Sequence, residues 1–231
     1  MLRIEQVSAS YGNTPVLFGV NLDVPEKGLV CLMGHNGVGK TTLMNTIMGL
    51  LPTTAGTITF EGRDLTRLAP YERCRAGLGY VPQGRGGFPQ LTVMDNLRVV
   101  MEASRISDRA AIDEALDLFP RLVPMLERRA GFLSGGQQQQ LAMARALVTK
   151  PKILLLDEPT EGIQPSIILE IEDSIAELHA SRGLSILLVE QYVEFAARLA
   201  DHYAVMESGE ISATGETASL SPESLRQLLA V

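Results

Sequence analysis

Short apolar runs alternate along the chain with longer segments in which apolar residues recur at helical spacing. Residues 29–33 form a continuous apolar run, and 153–156 and 185–189 are similar runs later in the chain. A helix is predicted from Lys40 to about residue 50, and apolar residues between 167 and 178 mark the buried stripe of another. Strands that alternate with helices in this way predict an α/β fold built on a mainly parallel sheet.

The remaining strand-like segments predict antiparallel pairing. Residues 4–7 and 16–24 alternate apolar with polar side chains, which is typical of antiparallel strands lying beside the main sheet. The segment that turns at Ser208 and Gly209 is predicted to be a hairpin. Further strands are predicted at residues 57–60, 79–82, 204–206 and 210–213.

Between residues 84 and 150 the pattern changes from strands to helices. We expect this segment to be a helical subdomain inserted between two strands of the sheet. A short helix at about 221–229 is predicted to end the chain, and no repeat or linker divides the sequence, so residues 1–231 are expected to form one domain. The helices of the inserted segment are predicted at about 93–105, 108–119 and 136–149.

Composition excludes several classes of protein. The 231 residues carry a net charge of −7, with 45% hydrophobic and 20% charged residues, and lack a basic run that would favour nucleic-acid binding. No apolar run approaches the ~20 residues of a membrane-spanning helix. The two cysteines, Cys31 and Cys74, do not suggest a disulfide framework or a zinc site. The first residues show no secretion leader, so we expect a cytoplasmic protein.

The run after the 29–33 strand fits the phosphate-loop pattern, in which two glycines with four residues between them precede lysine and threonine. Glycines let the backbone turn successive N–H groups toward phosphate oxygens, and the N-terminus of the following helix adds a positive dipole end. We expect Lys40 to reach the β- and γ-phosphates of ATP and the Thr41 hydroxyl to bind Mg²⁺. The residues of this loop are Gly34, His35, Asn36, Gly37, Val38, Gly39, Lys40, Thr41 and Thr42.

Two adjacent carboxylates, Asp157 and Glu158, follow the 153–156 strand. In an open parallel sheet, ligands gather at the carboxyl ends of the strands. Asp157 is therefore a candidate second anchor for Mg²⁺, acting through water. Glu158 is the candidate base that orients and polarises the water attacking the γ-phosphate.

A turn of sequence Leu133-Ser134-Gly135-Gly136-Gln137 precedes the predicted helix at 136–149. Such a turn is a common helix N-cap, but it also offers a second cluster of N–H donors at a helix N-terminus. One nucleotide has no obvious need for two such cradles in one chain. With this run, the sequence resembles the ATP-binding cassette (ABC) family over essentially its whole length.

In that family two ATPase domains pack head to tail, and the turn that corresponds to residues 133–137, called the signature turn, closes over the ATP held by the other domain. The resemblance therefore implies that Ser134, Gly135, Gly136 and Gln137 contact the γ-phosphate bound by a second subunit. It also implies the ABC ATPase fold. This fold has a RecA-like P-loop NTPase core with a mainly parallel sheet, an N-terminal antiparallel β subdomain and an inserted helical subdomain.

Two further residues match the family in order and spacing. Tyr11 matches the aromatic residue that stacks on adenine, although a tyrosine in a strand also has ordinary packing roles. Gln83 matches the glutamine that contacts Mg²⁺ and the attacking water. The resemblance therefore adds Tyr11 and Gln83 to the expected nucleotide site.

Two positions depart from the family pattern. Gln191 occupies the place of the switch histidine; glutamine can hydrogen-bond to a γ-phosphate but cannot carry a proton as imidazole does. Gln164 occupies the place of an aspartate in the loop after Pro159. The same departures look like the branched-chain amino acid and urea importer ATPases, and residues 161–168, with the four glutamines after Gly136, look most similar to the urea-type subunit.

The resemblance implies an ATP-hydrolysing subunit on the cytoplasmic face of the inner membrane. Its implied partners are a second ABC ATPase subunit, two permease subunits and, indirectly, a solute-binding protein. The second ATPase subunit is either another copy of this chain or a related chain, and the resemblance favours the related chain. An ABC subunit of a lipid exporter fits the same core motifs. A translation or DNA-repair ABC ATPase would usually carry tandem domains or long arms, and a P-loop kinase or GTPase would leave the signature turn unexplained.

Overall fold

The computed structural model describes residues 1–106, 108, 110–191 and 193–219, which form two sheets and the helices around them. One sheet has the strand order β2-β1-β4-β5 and the other β10-β9-β3-β8-β7-β6. The strands are β1 (Leu2–Tyr11), β2 (Thr14–Val24), β3 (Leu29–Met33), β4 (Thr53–Phe60), β5 (Arg63–Asp64), β6 (Leu78–Val81), β7 (Ile153–Asp157), β8 (Ser185–Val189), β9 (His202–Glu207) and β10 (Glu210–Glu216). The helices are α1 (Lys40–Ile47), α2 (Pro70–Ala76), α3 (Val93–Ala103), α4 (Ala110–Leu118), α5 (Gly135–Leu147), α6 (Pro165–Ala180) and α7 (Val193–Leu199).

The six-stranded sheet is parallel from β9 to β6, and only β10 pairs antiparallel with its neighbour β9. Strands β3, β7 and β8 are buried along their whole length. Successive residues of β7 face opposite sides, so that Ile153 and Leu155 join one apolar cluster while Leu154 and Leu156 join the other. The predicted parallel sheet and its terminal hairpin are confirmed.

The four-stranded sheet is antiparallel, as the alternating pattern predicts. Strand β1 pairs on one side with β2 and on the other with β4, so that Ile4 lies opposite both Leu22 and Ile58. These three side chains are buried in the same apolar cluster. Strand β4 begins at Thr53, four residues earlier than predicted, because its first half is mostly exposed and carries no apolar signal.

The helices between β6 and β7 are those of the predicted inserted segment, with ends shifted by one or two residues. Two short 3-10 turns, Pro120–Met125 and Ala130–Phe132, connect α4 to α5. The division of the chain into one domain with a subdomain at 84–150 stays a prediction. The helix predicted at 221–229 lies outside the described residues. Within the described part of the chain, the helices are too short or too polar to cross a bilayer.

Helix α2 was not predicted from the pattern, and it carries a buried arginine. Arg73 is only 2% exposed. Its Nη1 donates to the carbonyl oxygens of Thr46 (2.8 Å) and Ile47 (2.7 Å), which lie at the C-terminal end of α1. Its Nε donates to Leu68 O at 2.9 Å and its Nη2 to Thr66 O at 3.0 Å. The guanidinium thus donates to carbonyls at the end of α1, where the helix leaves acceptors without their regular donors, although Thr46 O also accepts from the Gly49 N–H at 3.1 Å.

Replacing Arg73 with Met is therefore expected to destabilise the protein. The thioether fills part of the space but removes the Arg73 donor from the buried Ile47 carbonyl and from the partly buried Leu68 and Thr66 carbonyls, which should lower the free energy of unfolding by about 3 kcal/mol. Urea denaturation followed by circular dichroism measures this change. Arg75→Met is the matched control, because Arg75 lies in the same helix but is exposed and stacks on Tyr71. Equal stability of the two variants would contradict the assigned role of Arg73.

Candidate active site

Four segments with candidate site residues leave four neighbouring strands at the same edge of the sheet. Strands β3, β8, β7 and β6 are adjacent and parallel. The phosphate loop follows β3 and Gln191 follows β8. Asp157 ends β7 with Glu158 directly after it, and Gln83 follows β6. Because these strands point the same way, their carboxyl ends meet at the crevice where such sheets bind ligands. The topology therefore brings together residues that are up to 155 positions apart.

The phosphate loop connects β3 to α1 and forms the floor of a cavity of about 320 Å³. A Cβ atom at Gly34 would collide with the carbonyl oxygen of Met206, so that this position has no room for a side chain. Gly39 is the N-cap of α1 and has a φ of 114°, in a region that side chains disfavour. The residues lining the cavity are Asn36, Gly37, Gly39, Lys40, Thr41, Thr42, Gln83 and Glu158.

Lys40 presents a buried ammonium group to this cavity. The residue is 4% exposed, and its Nζ donates to the carbonyl oxygens of Gly34 at 2.7 Å and His35 at 2.9 Å. The same Nζ lies 3.4 Å from Oε1 of Glu158. A buried cation held by its own loop is a charge that an anionic ligand can pair with strongly.

Asp157 lies beneath the phosphate loop and is 1% exposed. Its Oδ1 accepts from the Thr41 hydroxyl at 3.3 Å, and its Oδ2 accepts from the Tyr80 hydroxyl at 3.5 Å. Burial, together with the negative charge of Glu158, raises the pKa of Asp157 to about 6, although the Thr41 hydrogen bond and Lys40 act in the opposite direction. The site thus holds a buried carboxylate beside a hydroxyl that lines the cavity.

Glu158 is the centre of the polar contacts in the site. Its Oε2 accepts from Gln83 Nε2 at 3.2 Å, and its Oε1 accepts from Gln191 Nε2 at 2.9 Å. The Gln191 amide also donates to Asn36 Oδ1 at 2.6 Å, which connects the carboxylate to the phosphate loop. Glu158 has a φ of 47°, a strained conformation for a residue with a side chain. Such strain persists where surrounding contacts determine the geometry.

The oxygen atoms of Asp157, Thr41 and Gln83 fit Mg²⁺. Among the residues described here, no group of three or more histidine, cysteine, aspartate or glutamate side chains could hold a metal ion. Mg²⁺ typically needs only one or two carboxylates, with water and substrate phosphates completing its shell. Asp157 and the Thr41 hydroxyl supply oxygen ligands, and both hydrogen bonds of Gln83 use its Nε2, which leaves its amide oxygen for a metal.

The signature turn does not line this cavity in its own chain. The Ser134 hydroxyl accepts from the backbone N–H of Gln137 at 3.3 Å, and Gln137 Oε1 accepts from the Ser134 N–H at 3.0 Å. The two residues therefore form a capping box at the start of α5. A Cβ at Gly136 would lie 2.5 Å from Ile167, so close packing against α6 requires glycine there.

Tyr11 also lies outside the cavity lining, at the end of β1. Its side chain is 51% exposed, so a flat aromatic surface faces solvent. Asp157 and Gln191 are also absent from the lining, but they hydrogen-bond to residues that line the cavity, which places them at its edge. For Tyr11 and the signature turn the described residues show no such connection. Their assigned contacts with nucleotide stay predictions.

Several polar residues of the site were not predicted from the sequence. The Tyr80 hydroxyl reaches Asp157, and Glu161 Oε2 accepts from Gln83 Nε2 at 2.9 Å. Arg85 donates to the backbone oxygen of Glu161 at 3.3 Å and to Gln138 Oε1 at 3.4 Å. Tyr80 and Arg85 are close to Gln83 in the chain, which was a usable signal. No local pattern indicates the contacts of Glu161.

The family model described as "ABC transporter" matches residues 17–161. The probable branched-chain amino acid transport ATP-binding protein LivF of Archaeoglobus fulgidus is 39% identical over 218 residues, 93% of this chain and 92% of the relative. The high-affinity branched-chain amino acid transport ATP-binding protein BraG of Pseudomonas aeruginosa is 42% identical over 212 residues, 91% of each chain. A solved dimeric, post-hydrolysis ATP-binding cassette bound to ADP and Pi has a TM-score of 0.85 at 26% identity, covering 94% of this chain and 99% of the other.

Proposed function

Because the chain belongs to the ABC transporter family and is an ATPase, we propose that it powers the import of a small polar solute through separate permease subunits. The observation that carries the ATPase part of this proposal is the convergence of the phosphate loop, Glu158 and Gln83 at one cavity, with Asp157 and Gln191 hydrogen-bonded to residues that line it. The names of two relatives favour a branched-chain amino acid as the solute. Residues 161–168 and the glutamines after Gly136 favour urea, and these two solutes are the candidates.

The chain's own residues have distinct parts in ATP hydrolysis. Backbone N–H groups of the phosphate loop and Lys40 bind the phosphates, and the aromatic ring of Tyr11 stacks on the adenine. Glu158 accepts the proton of the attacking water, which it orients together with the amides of Gln83 and Gln191. These amides already donate to both oxygens of the Glu158 carboxylate, so its orientation is fixed before substrate binds.

Thr41, Asp157 and Gln83 are the residues that would hold Mg²⁺. The ion, when bound, neutralises charge on the phosphate oxygens of ATP. The amide of Gln83 donates to Glu158 and Glu161, and this leaves its oxygen for the metal. Gln83 therefore connects the proposed base to the segment that begins the helical region.

The complete catalytic unit contains a second ATPase subunit. Ser134 is exposed, its turn is closed on itself by the capping box, and the turn does not line the chain's own cavity, so its surface is available to a second subunit. We assign Ser134, Gly135, Gly136 and Gln137 to the γ-phosphate held by the partner. A related second subunit, two permeases and a solute-binding protein complete the importer, with this chain on the cytoplasmic face of the inner membrane.

Uptake measurements in cells test the proposed function. A strain lacking this gene is expected to lose ATP-dependent uptake of labelled urea or of labelled leucine, and the wild-type gene is expected to restore it. The Glu158→Gln variant is the matched control: the change is nearly isosteric, so we expect the protein to fold but to restore no uptake. Unchanged uptake of both solutes in the deletion strain would refute the proposed transport function, although the ATPase activity would stand.

A further inference from the structure

A second buried carboxylate, Glu190, lies beside the proposed base. It is the first residue after β8 and is 2% exposed. Its Oε1 accepts two hydrogen bonds from Thr160, one from the hydroxyl at 2.7 Å and one from the backbone N–H at 3.3 Å. Its Oε2 accepts from the backbone N–H of Gln191 at 3.2 Å. The carboxyl group therefore connects the loop after β7 to the loop after β8.

Burial of this carboxyl group has an energetic cost that the three hydrogen bonds offset in part. Burial raises the pKa of Glu190, and the hydrogen bonds from Thr160 and Gln191 act in the opposite direction. An apolar side chain would avoid the desolvation cost entirely, so a buried carboxylate is weak evidence for stability. What the carboxylate provides is a defined arrangement of the two loops that donate to it.

These two loops are the ones that carry Glu158 and Gln191. The backbone N–H of Glu158 donates to Val189 O at 3.0 Å, and Gln191 Nε2 donates to Glu158 Oε1 at 2.9 Å. The loop after β7 and the loop after β8 are therefore joined by the backbone and side chain of Glu158 and, in addition, by the Thr160–Glu190 contact. Glu158 itself has the strained φ of 47°, which needs such external constraint.

We propose that Glu190 is a positioning residue that holds Glu158 and Gln191 in the geometry required for ATP hydrolysis. Glu190 acts through Thr160 on one side and through the Gln191 backbone on the other. Glu190 does not line the cavity, so its removal should leave nucleotide binding intact. Its removal should lower turnover, because the loops that carry Glu158 and Gln191 lose a connection. The proposal rests on the assignment of Glu158 as the base.

The test compares the rate constant, the KM for Mg·ATP and the nucleotide affinity of purified full-length variants. Glu190→Ala removes both connections and is expected to lower kcat by ~10²-fold, the effect of a catalytic group displaced by about 1 Å. Thr160→Val removes only the hydroxyl bond and is expected to lower kcat about tenfold, since the displacement is smaller. KM and affinity should stay within a factor of roughly three, because the phosphate loop is unchanged.

Conservative variants separate positioning from stability. Thr160→Ser keeps the hydroxyl and is expected to retain wild-type kcat. The double variant Thr160→Val/Glu190→Ala is expected to be no slower than Glu190→Ala alone, because both changes break the same connection. Ser174→Ala is the matched control, since the Ser174 hydroxyl is also buried and hydrogen-bonded, at 2.7 Å to Glu170 O, but lies in α6.

The outcomes are distinguishable. Wild-type kcat in both Glu190→Ala and Thr160→Val, with an inactive Glu158→Gln, would overturn the role of Glu190 alone. An active Glu158→Gln would refute the base assignment and this proposal with it. If Thr160→Val lowers kcat only as much as Ser174→Ala does, and both follow the loss of thermal stability, the role of Glu190 is structural and the proposal is wrong.

Discussion

Replacing Glu158 with Gln is expected to lower the rate of ATP hydrolysis by about 10²–10⁴-fold, the usual contribution of a general base. Glutamine has nearly the same shape, but Gln83 and Gln191 donate to different oxygens of Glu158, so its single amide oxygen can accept only one of these two hydrogen bonds. It cannot accept a proton from water. Nucleotide binding should persist or tighten, because Lys40 loses a competing carboxylate 3.4 Å away.

Steady-state phosphate release and equilibrium binding of Mg·ATP measure the two halves of this result. Glu172→Gln is the matched control, because Glu172 is also a buried carboxylate that pairs with a cation, Arg198, but lies in α6. That variant is expected to keep its turnover. Normal turnover in Glu158→Gln would show that another group activates the water.

Replacing Lys40 with Ala is expected to abolish useful affinity for ATP. The loss of a buried charged partner should cost about 3 kcal/mol, or roughly 10²-fold in Kd. The vacancy also leaves the Glu158 carboxylate facing the phosphates with no cation between them, which adds repulsion. The remaining loop N–H groups cannot supply a full positive charge.

Isothermal titration calorimetry of the variant with Mg·ATP measures this affinity. Lys152→Ala is the control, because Lys152 is exposed and pairs with Glu61 on the surface. Surface pairs of this kind contribute little, so the control should bind ATP as the wild type does. If Lys40→Ala binds Mg·ATP with wild-type affinity, the assignment of the phosphate loop to the nucleotide site is wrong.

The order of strands and helices could be predicted because apolar periodicity is a local property. The ABC ATPase fold implied by the resemblance is confirmed, including the parallel strands that present Asp157 and the loop after β3 at one edge. Helix α2 escaped prediction because its seven residues are too few for a clear stripe and its buried side chain is an arginine. Its role depends on carbonyls 26 and 27 positions away.

The convergence of the phosphate loop with Glu158 follows from strand order, which a strand–helix alternation makes predictable. The Thr160–Glu190 contact joins residues 30 positions apart and has no sequence pattern of its own. The Tyr80–Asp157 contact spans 77 positions and depends on β6 lying beside β7. Side-chain networks of this kind could not be predicted from the sequence, because only tertiary packing decides which polar groups contact each other.

The buried guanidinium of Arg73 has a consequence for how opening motions spread through the molecule. It hydrogen-bonds to the C-terminal end of α1, and the N-terminal end of the same helix begins at the phosphate loop. Fraying of the segment around α2 therefore releases the helix on which the loop depends. Nucleotide bound at one end should slow amide hydrogen exchange at the other, so that α2 and the loop behave as a single cooperative unit.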